Sequence, residues 1–206
     1  MQSDEGLVRV EKSSHYMRYL LIVGILVLSF SLSFTLRALN MEYGFELNEF
    51  DPFFNHRATQ FIVENGLPAY LEWNDDLSWH PYGRDVAATS QVMLHTSAAM
   101  LYQIFGMGSS LYDFTILFPI VISSLTVIVV FALVRIIGGT TAGLIASIFF
   151  AVSPIIIIRG TMGWFKSEPL GLFYGLLAVY LLLSAIKSDK GKVSIAKIIG
   201  AGIFLA

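Results

Sequence analysis

Uncharged apolar runs alternate with short charged stretches along this chain. Four runs reach the roughly 17 to 25 residues a helix needs to cross a ~30 Å hydrocarbon core. They are Tyr19–Leu36, Phe114–Val134, Ile136–Ile158 and Pro169–Ile186. A fifth begins at Ile198 and continues to Ala206, which reads as a fragment ending inside a helix. The pattern predicts a cytoplasmic tail over 1–18, spans over 19–36, 114–134, 136–158 and 169–186, external loops over 37–113 and 159–168, a cytoplasmic loop over 187–197, and the start of a fifth span over 198–206. The polar head is expected to be mobile. The first run is long for a cleaved signal peptide and sits behind an 18-residue polar head. Gly138-Gly139 marks a tight hairpin between the second and third spans.

Val86–Tyr112 also lacks Asp, Glu, Lys and Arg, but it carries Thr89, Ser90, Gln91, His95, Thr96, Ser97 and Gln103. The positive-inside bias decides its status. If it stays outside the bilayer, Arg9, Lys12, Arg18, Arg135, Lys187, Lys190, Lys192 and Lys197 fall on the cytoplasmic side, eight of 13 bases. If it spans, the split reverses. It is therefore read as an interfacial helix, which puts the polar clusters near residues 51 and 168 on one outer face.

Composition agrees with a membrane protein: 55% hydrophobic residues, 14% charged and a mean hydropathy of +0.69. A net charge of −2 conceals an acidic stretch from Arg37 to Asp85, with nine acids and three bases. Without cysteine the chain has no disulfide, thiol nucleophile or cysteine metal site. The fold class expected is an all-α polytopic integral membrane protein with a long first external loop.

Two polar clusters carry the candidate chemistry. Glu49 and Asp51, two residues apart, present hard oxygen ligands suited to Mn2+ or Mg2+. Such an ion would bind an anionic phosphate leaving group. The plainer reading makes Asp51 the cap of a helix starting at Pro52. Arg159, Lys166 and Glu168 lie at the edges of apolar runs, where charge can snorkel to water. Glu168 precedes Pro169 at a helix start, a favourable place for a carboxylate. Trp73, Trp79, Trp164, Tyr70 and Tyr82 read as interfacial belt residues, and His95 as a packing residue. No phosphate loop, dinucleotide fingerprint or basic nucleic-acid patch is present, so no nucleic-acid partner is expected, and there is no Asn-x-Ser/Thr.

The strings Glu49-Phe50-Asp51-Pro52-Phe53-Phe54-Asn55-His56-Arg57-Ala58-Thr59, Trp79-His80-Pro81-Tyr82-Gly83-Arg84 and Arg159 through Phe173 resemble the catalytic subunit of oligosaccharyltransferase, the enzyme of asparagine-linked glycosylation. The motif variants point to an archaeal type. The resemblance implies a membrane-integral inverting glycosyltransferase of the dolichyl-phosphooligosaccharide or diphosphooligosaccharide–protein class. Its substrates would be a lipid-linked oligosaccharide donor and an acceptor polypeptide with Asn-x-Ser/Thr, and its partners membrane lipid and further oligosaccharyltransferase subunits. Its site would face the extracytoplasmic side of the cell membrane, or the endoplasmic reticulum lumen in a eukaryote. Asp51 would be the catalytic aspartate, ligating Mn2+ or Mg2+ and contacting the acceptor amide, Glu168 a second ligand, Glu49 a weaker one, and Arg159 a positive charge for the donor phosphate or the acidic site. His80, Pro81, Gly83 and Arg84 would shape the loop.

One position departs from that family. An acid is expected where Lys166 stands, so Lys166 either faces the phosphate itself, or the ligand comes from His56 or Asp75-Asp76, or the copy is inactive. The family's later external loop and its C-terminal acceptor-reading domain lie outside these 206 residues, so this chain alone is expected not to catalyse. The alternatives are an inactive paralogue that binds lipid-linked sugar or partner subunits, and a protein O-mannosyltransferase.

Overall fold

The computed structural model describes residues 2–106, 108–188 and 191–205, with side chains from residue 16 onward. Met1, Asp189, Lys190 and Ala206 of the predicted tail, loop and fifth span lie outside the described residues. Among the described residues eight α-helices follow one another: α1 (Gln2–Ala38), α2 (Phe50–Leu71), α3 (Val86–Thr89), α4 (Val92–Phe105), α5 (Leu111–Val152), α6 (Pro154–Ile158), α7 (Ser167–Ile186) and α8 (Gly191–Leu205), with a short 3-10 helix at Leu39–Tyr43. The only strands among the described residues are β1 (Asn74–Asp75) and β2 (Arg84–Asp85), an antiparallel pair with Asn74 opposite Asp85.

Among the described residues three helical stretches are long and apolar enough to cross a membrane: Tyr16–Tyr43, Leu111–Val152 and Ser167–Ile186. The first begins within a helix that already runs through the polar head from Gln2. The second is two helices, because Gly139 leaves helical geometry at φ 84° and ψ 177°. A Cβ on Gly143 would lie 2.8 Å from the Phe131 carbonyl oxygen and 3.3 Å from Arg135 Cβ, which requires the chain to turn back at Gly139. The single predicted run 136–158 is also interrupted. Pro154 has no N–H and forces Ser153 out of the helix (ψ 119°), so α6 begins anew.

Apolar side chains such as Leu20, Val23, Val27 and Leu28 stand exposed on α1. Hydrocarbon would cover them, which is why these helices need no amphipathic pattern. Helix α1 packs on α5, where Ser29 and Ser147 place their Oγ atoms 3.5 Å apart. Small polar residues of this kind let helix backbones approach.

Helix α4 has 14 residues, a rise of about 21 Å, short of the ~30 Å hydrocarbon core, and it packs on α2 rather than standing alone. Two cores hold this layer. Leu47, Leu94, Ile116, Met162, Phe165 and Leu170 bury one junction; Ala58, Ile62, Tyr70, Val86 and Ala99 bury the other. Tyr70, expected in an interfacial belt, is fully buried and bonds His95.

Candidate active site

Two helix N-termini carry the candidate acids. Helix α2 starts at Phe50, not Pro52, so Glu49 is the N-cap residue and Asp51 sits within the first turn. Glu49 makes no side-chain capping bond, because its carboxylate is engaged elsewhere. Helix α7 starts at Ser167, with Lys166 at the N-cap and Glu168 in the first turn. Each acid lies where the helix dipole favours negative charge.

Hydrogen bonds between distant segments bring the two ends together. The segment 159–166 docks on the segment 46–55: Asn48 N–H donates to the Gly163 carbonyl (3.2 Å), Asn48 Nδ2 to the Met162 carbonyl (2.6 Å) and Asn55 Nδ2 to the Phe165 carbonyl (2.8 Å). Met162 N–H donates to the Arg37 carbonyl and Gly163 N–H to the Ile116 carbonyl. Gly163 has φ 77°, and a Cβ there would overlap the Glu46 carbonyl oxygen and the Asn48 side chain. Only glycine fits this left-handed, tightly packed turn.

Asn55 also fixes the layer behind. Its Nδ2 must face the Phe165 carbonyl, so its Oδ1 accepts from His95 Nε2 at 3.0 Å. His95 is then the Nε2–H tautomer, and Nδ1 accepts from the Tyr70 hydroxyl at 2.7 Å. Burial first, and the charge of Arg84 second, push the His95 pKa down to about 3. It is the packing residue expected.

The Lys166 ammonium lies between the acids of the first cluster, 2.5 Å from Glu49 Oε2 and 3.0 Å from Asp51 Oδ2. It also sits 4.4 Å from the centre of the Trp164 ring. Burial draws its pKa down, but hydrogen bonds and charge from Glu49 and Asp51 outweigh that and hold it above the ordinary lysine value. Arg159 lies over the same ring at 5.2 Å and pairs with Glu168 at 3.3 Å. Trp164 is thus a platform for two cations, a role the belt reading missed. A cavity of about 520 Å³ opens beside this pair, lined by Ser123, Thr126, Arg159, Ser167, Glu168 and Leu172.

The expected cation does not fit this donor set. Glu49 and Asp51 already hold Lys166, and Glu168 holds Arg159. At about 4 Å and an effective dielectric of about 20, an ammonium and a divalent ion repel by roughly 8 kcal/mol. Of the alternative ligands, Asp76 is exposed and accepts from Asn74 Nδ2 at 3.5 Å, whereas Asp75 and His56 are engaged by other residues. Asp75 is buried, pairs with Arg57 and accepts from Ser78 Oγ and Leu77 N–H. His56 Nδ1 lies 3.1 Å from Thr115 Oγ1, and burial lowers its pKa. Among the described residues no group of three His, Asp or Glu side chains could hold a metal ion.

Arg84 lies over the Phe54 ring at 4.2 Å and the Trp79 ring at 5.0 Å, and donates to the Thr89 carbonyl at 2.7 Å. Gly83 has φ 75°, and a Cβ would come within 2.6 Å of Asn74 Nδ2. Pro81 follows a cis peptide bond from His80.

A family profile described as oligosaccharyl transferase STT3, N-terminal, matches residues 21–206. The chain belongs to the STT3 family. The STT3B subunit of dolichyl-diphosphooligosaccharide–protein glycosyltransferase from Oryza sativa subsp. japonica is 31% identical over 185 residues, covering 88% of this chain and 26% of that relative. The STT3 subunit from Saccharomyces cerevisiae is 31% identical over 130 residues, covering 61% of this chain and 18% of its own. The chain thus spans about a quarter of the length of the curated STT3 relatives it matches. Among solved structures, the archaeal oligosaccharyltransferase AglB from Archaeoglobus fulgidus, in complex with an inhibitory peptide and a dolichol-phosphate, shares the fold. Its TM-score is 0.77 at 21% identity, over 92% of this chain and 23% of that one. The same enzyme tethered to an acceptor peptide with the NVT sequon gives 0.77 at 20% identity, over 93% and 24%. STT3 membership makes this a protein of a membrane glycosyltransferase family and carries no support for the mannosyltransferase alternative.

Proposed function

We propose that this chain forms the donor-facing part of an oligosaccharyltransferase, which moves an oligosaccharide from a dolichyl or polyprenyl phosphate or diphosphate to Asn in Asn-x-Ser/Thr. The observation that carries the reading is the docking of two acid-bearing helix N-termini, α2 and α7, in a chain of the STT3 family. The Archaeoglobus enzyme, solved with a dolichol-phosphate and an inhibitory peptide and separately tethered to an acceptor peptide, supports both substrates.

In this reading the site faces the extracytoplasmic side, as the distribution of lysine and arginine favours. Asp51, 56% exposed at its side chain, orients the acceptor amide. The amide nitrogen forms the bond to the anomeric carbon and gives up one of its two N–H protons to the Asp51 carboxylate, while the carbon–oxygen bond breaks with inversion and its electron pair leaves with the carrier phosphate. Arg159, half exposed at the mouth of the cavity, meets the departing phosphate, and its guanidinium can bind two oxygens at once. Glu168 aims Arg159, and further subunits are expected partners.

A saturable interaction with a dolichyl-phosphate-linked oligosaccharide tests this directly. With the chain in lipid nanodiscs, Arg159→Gln is expected to weaken binding about tenfold, the size of one charge-assisted contact. Equal affinity for both forms refutes the donor role. A second reading, binding without turnover, draws on Lys166 between Glu49 and Asp51; donor binding with no transfer by any complete form containing this chain would favour it.

A further inference from the structure

We infer that the Lys166 ammonium takes the place of a divalent cation between Glu49 and Asp51, so that this chain carries its own counter-ion. The position is built rather than incidental. An ammonium has three N–H donors. Two face Glu49 Oε2 at 2.5 Å and Asp51 Oδ2 at 3.0 Å, and the third is left to face the Trp164 ring, whose centre is 4.4 Å away. The side chain keeps only 15% of its exposure, against 40% for Glu49 and 56% for Asp51. The backbone leading into it is held: Phe165 is fully buried with its carbonyl bonded by Asn55, and Lys166 N–H donates to the Trp164 carbonyl at 2.8 Å.

Charge balance points the same way. Glu49, Asp51 and Glu168 face Lys166 and Arg159, three acids against two bases, a local charge of −1. The two ion pairs leave little unscreened negative charge to draw a divalent ion, and Arg159 holds the acid that would complete a ligand set. Lys166→Asp removes the ammonium, adds a carboxylate and takes the balance to −3. That single change should turn an internal ion pair into a cation site of hard oxygen ligands.

Terbium(III), an oxygen-seeking ion whose luminescence tryptophan sensitises at short range, is the probe, because Trp164 lies beside the position in question. The chain is titrated in lipid nanodiscs as parent, as Lys166→Asp, and as Lys166→Asp combined with Asp51→Asn. The parent is expected to bind at least about tenfold more weakly than Lys166→Asp, the gain is expected to vanish with Asp51→Asn, and Mn2+ is expected to displace the probe. Lys166→Met, neutral and of similar length, gives a smaller gain in the same direction and serves if thermal unfolding shows Lys166→Asp to be misfolded. Equal affinity in the parent and both Lys166 variants, whether all bind or none does, overturns the inference, as does a gain that survives Asp51→Asn. No sugar transfer enters the readout, so the result stands apart from the proposed activity.

Discussion

Asn55→Ala should loosen the joint that holds the two polar clusters together. In the parent, Asn55 is 2% exposed and satisfies the Phe165 carbonyl at 2.8 Å and His95 Nε2–H at 3.0 Å. Alanine strands both partners in a buried setting, at about 1–3 kcal/mol for each unsatisfied group. Local relaxation recovers part of that, so the net loss should be about 2–4 kcal/mol. Unfolding by SDS titration in mixed micelles measures it. Hydrogen exchange locates it: the Asn48 amide, bonded across the joint to Gly163, and the Met162 and Gly163 amides, which tie the same segment to Arg37 and Ile116, should lose protection, while amides in the middle of α7 keep theirs. A stability within about 0.5 kcal/mol of the parent, with unchanged protection at those amides, would refute the claim that Asn55 joins α2 to the segment before α7.

His95 makes stability depend on pH. Its folded pKa, near 3, lies below the ordinary value of about 6.5, so the unfolded chain takes up the proton first. Stability from this group is fully present above about pH 6.5 and lost as pH falls toward 3, roughly 5 kcal/mol at the limit; His95→Gln should flatten that slope in unfolding measured from pH 7 to 4. Gly163→Ala should cost at least about 2 kcal/mol through left-handed strain and overlap with Glu46, read as a lower unfolding midpoint, whereas Gly171→Ala, with no atom within 4 Å of its added methyl, should change stability by less than about 0.5 kcal/mol.

The apolar runs and the three motif strings were legible because each depends on local order along the chain. The Glu49–Lys166 pair spans 117 positions, and nothing local to either residue announces it. Lysine in place of the acid at 166 did mark the place to look. Arg37 was invisible in the same way. It closes the first apolar run and reads as an outer-side base, yet it is fully buried, with Nη1 donating to Ser33 Oγ at 2.7 Å and Nε and Nη2 without a partner among the described residues. Its burial comes from packing between α1, the end of α5 and the segment at Gly160. The start of α2 was misplaced because Asp-Pro signals a cap, whereas the fold sets Glu49 there to meet Lys166.

The most direct test of the proposed activity grafts residues 21–206 in place of the matching segment of the Archaeoglobus fulgidus oligosaccharyltransferase, whose fold the chain shares, and follows transfer from a lipid-linked oligosaccharide to an Asn-x-Thr peptide. The account predicts transfer that an Asn-to-Gln peptide does not support, and that Asp51→Ala lowers by at least about a hundredfold, or ~2.7 kcal/mol of transition-state stabilisation. Undiminished transfer with Asp51→Ala, or none from a chimaera that folds and binds donor, would contradict it.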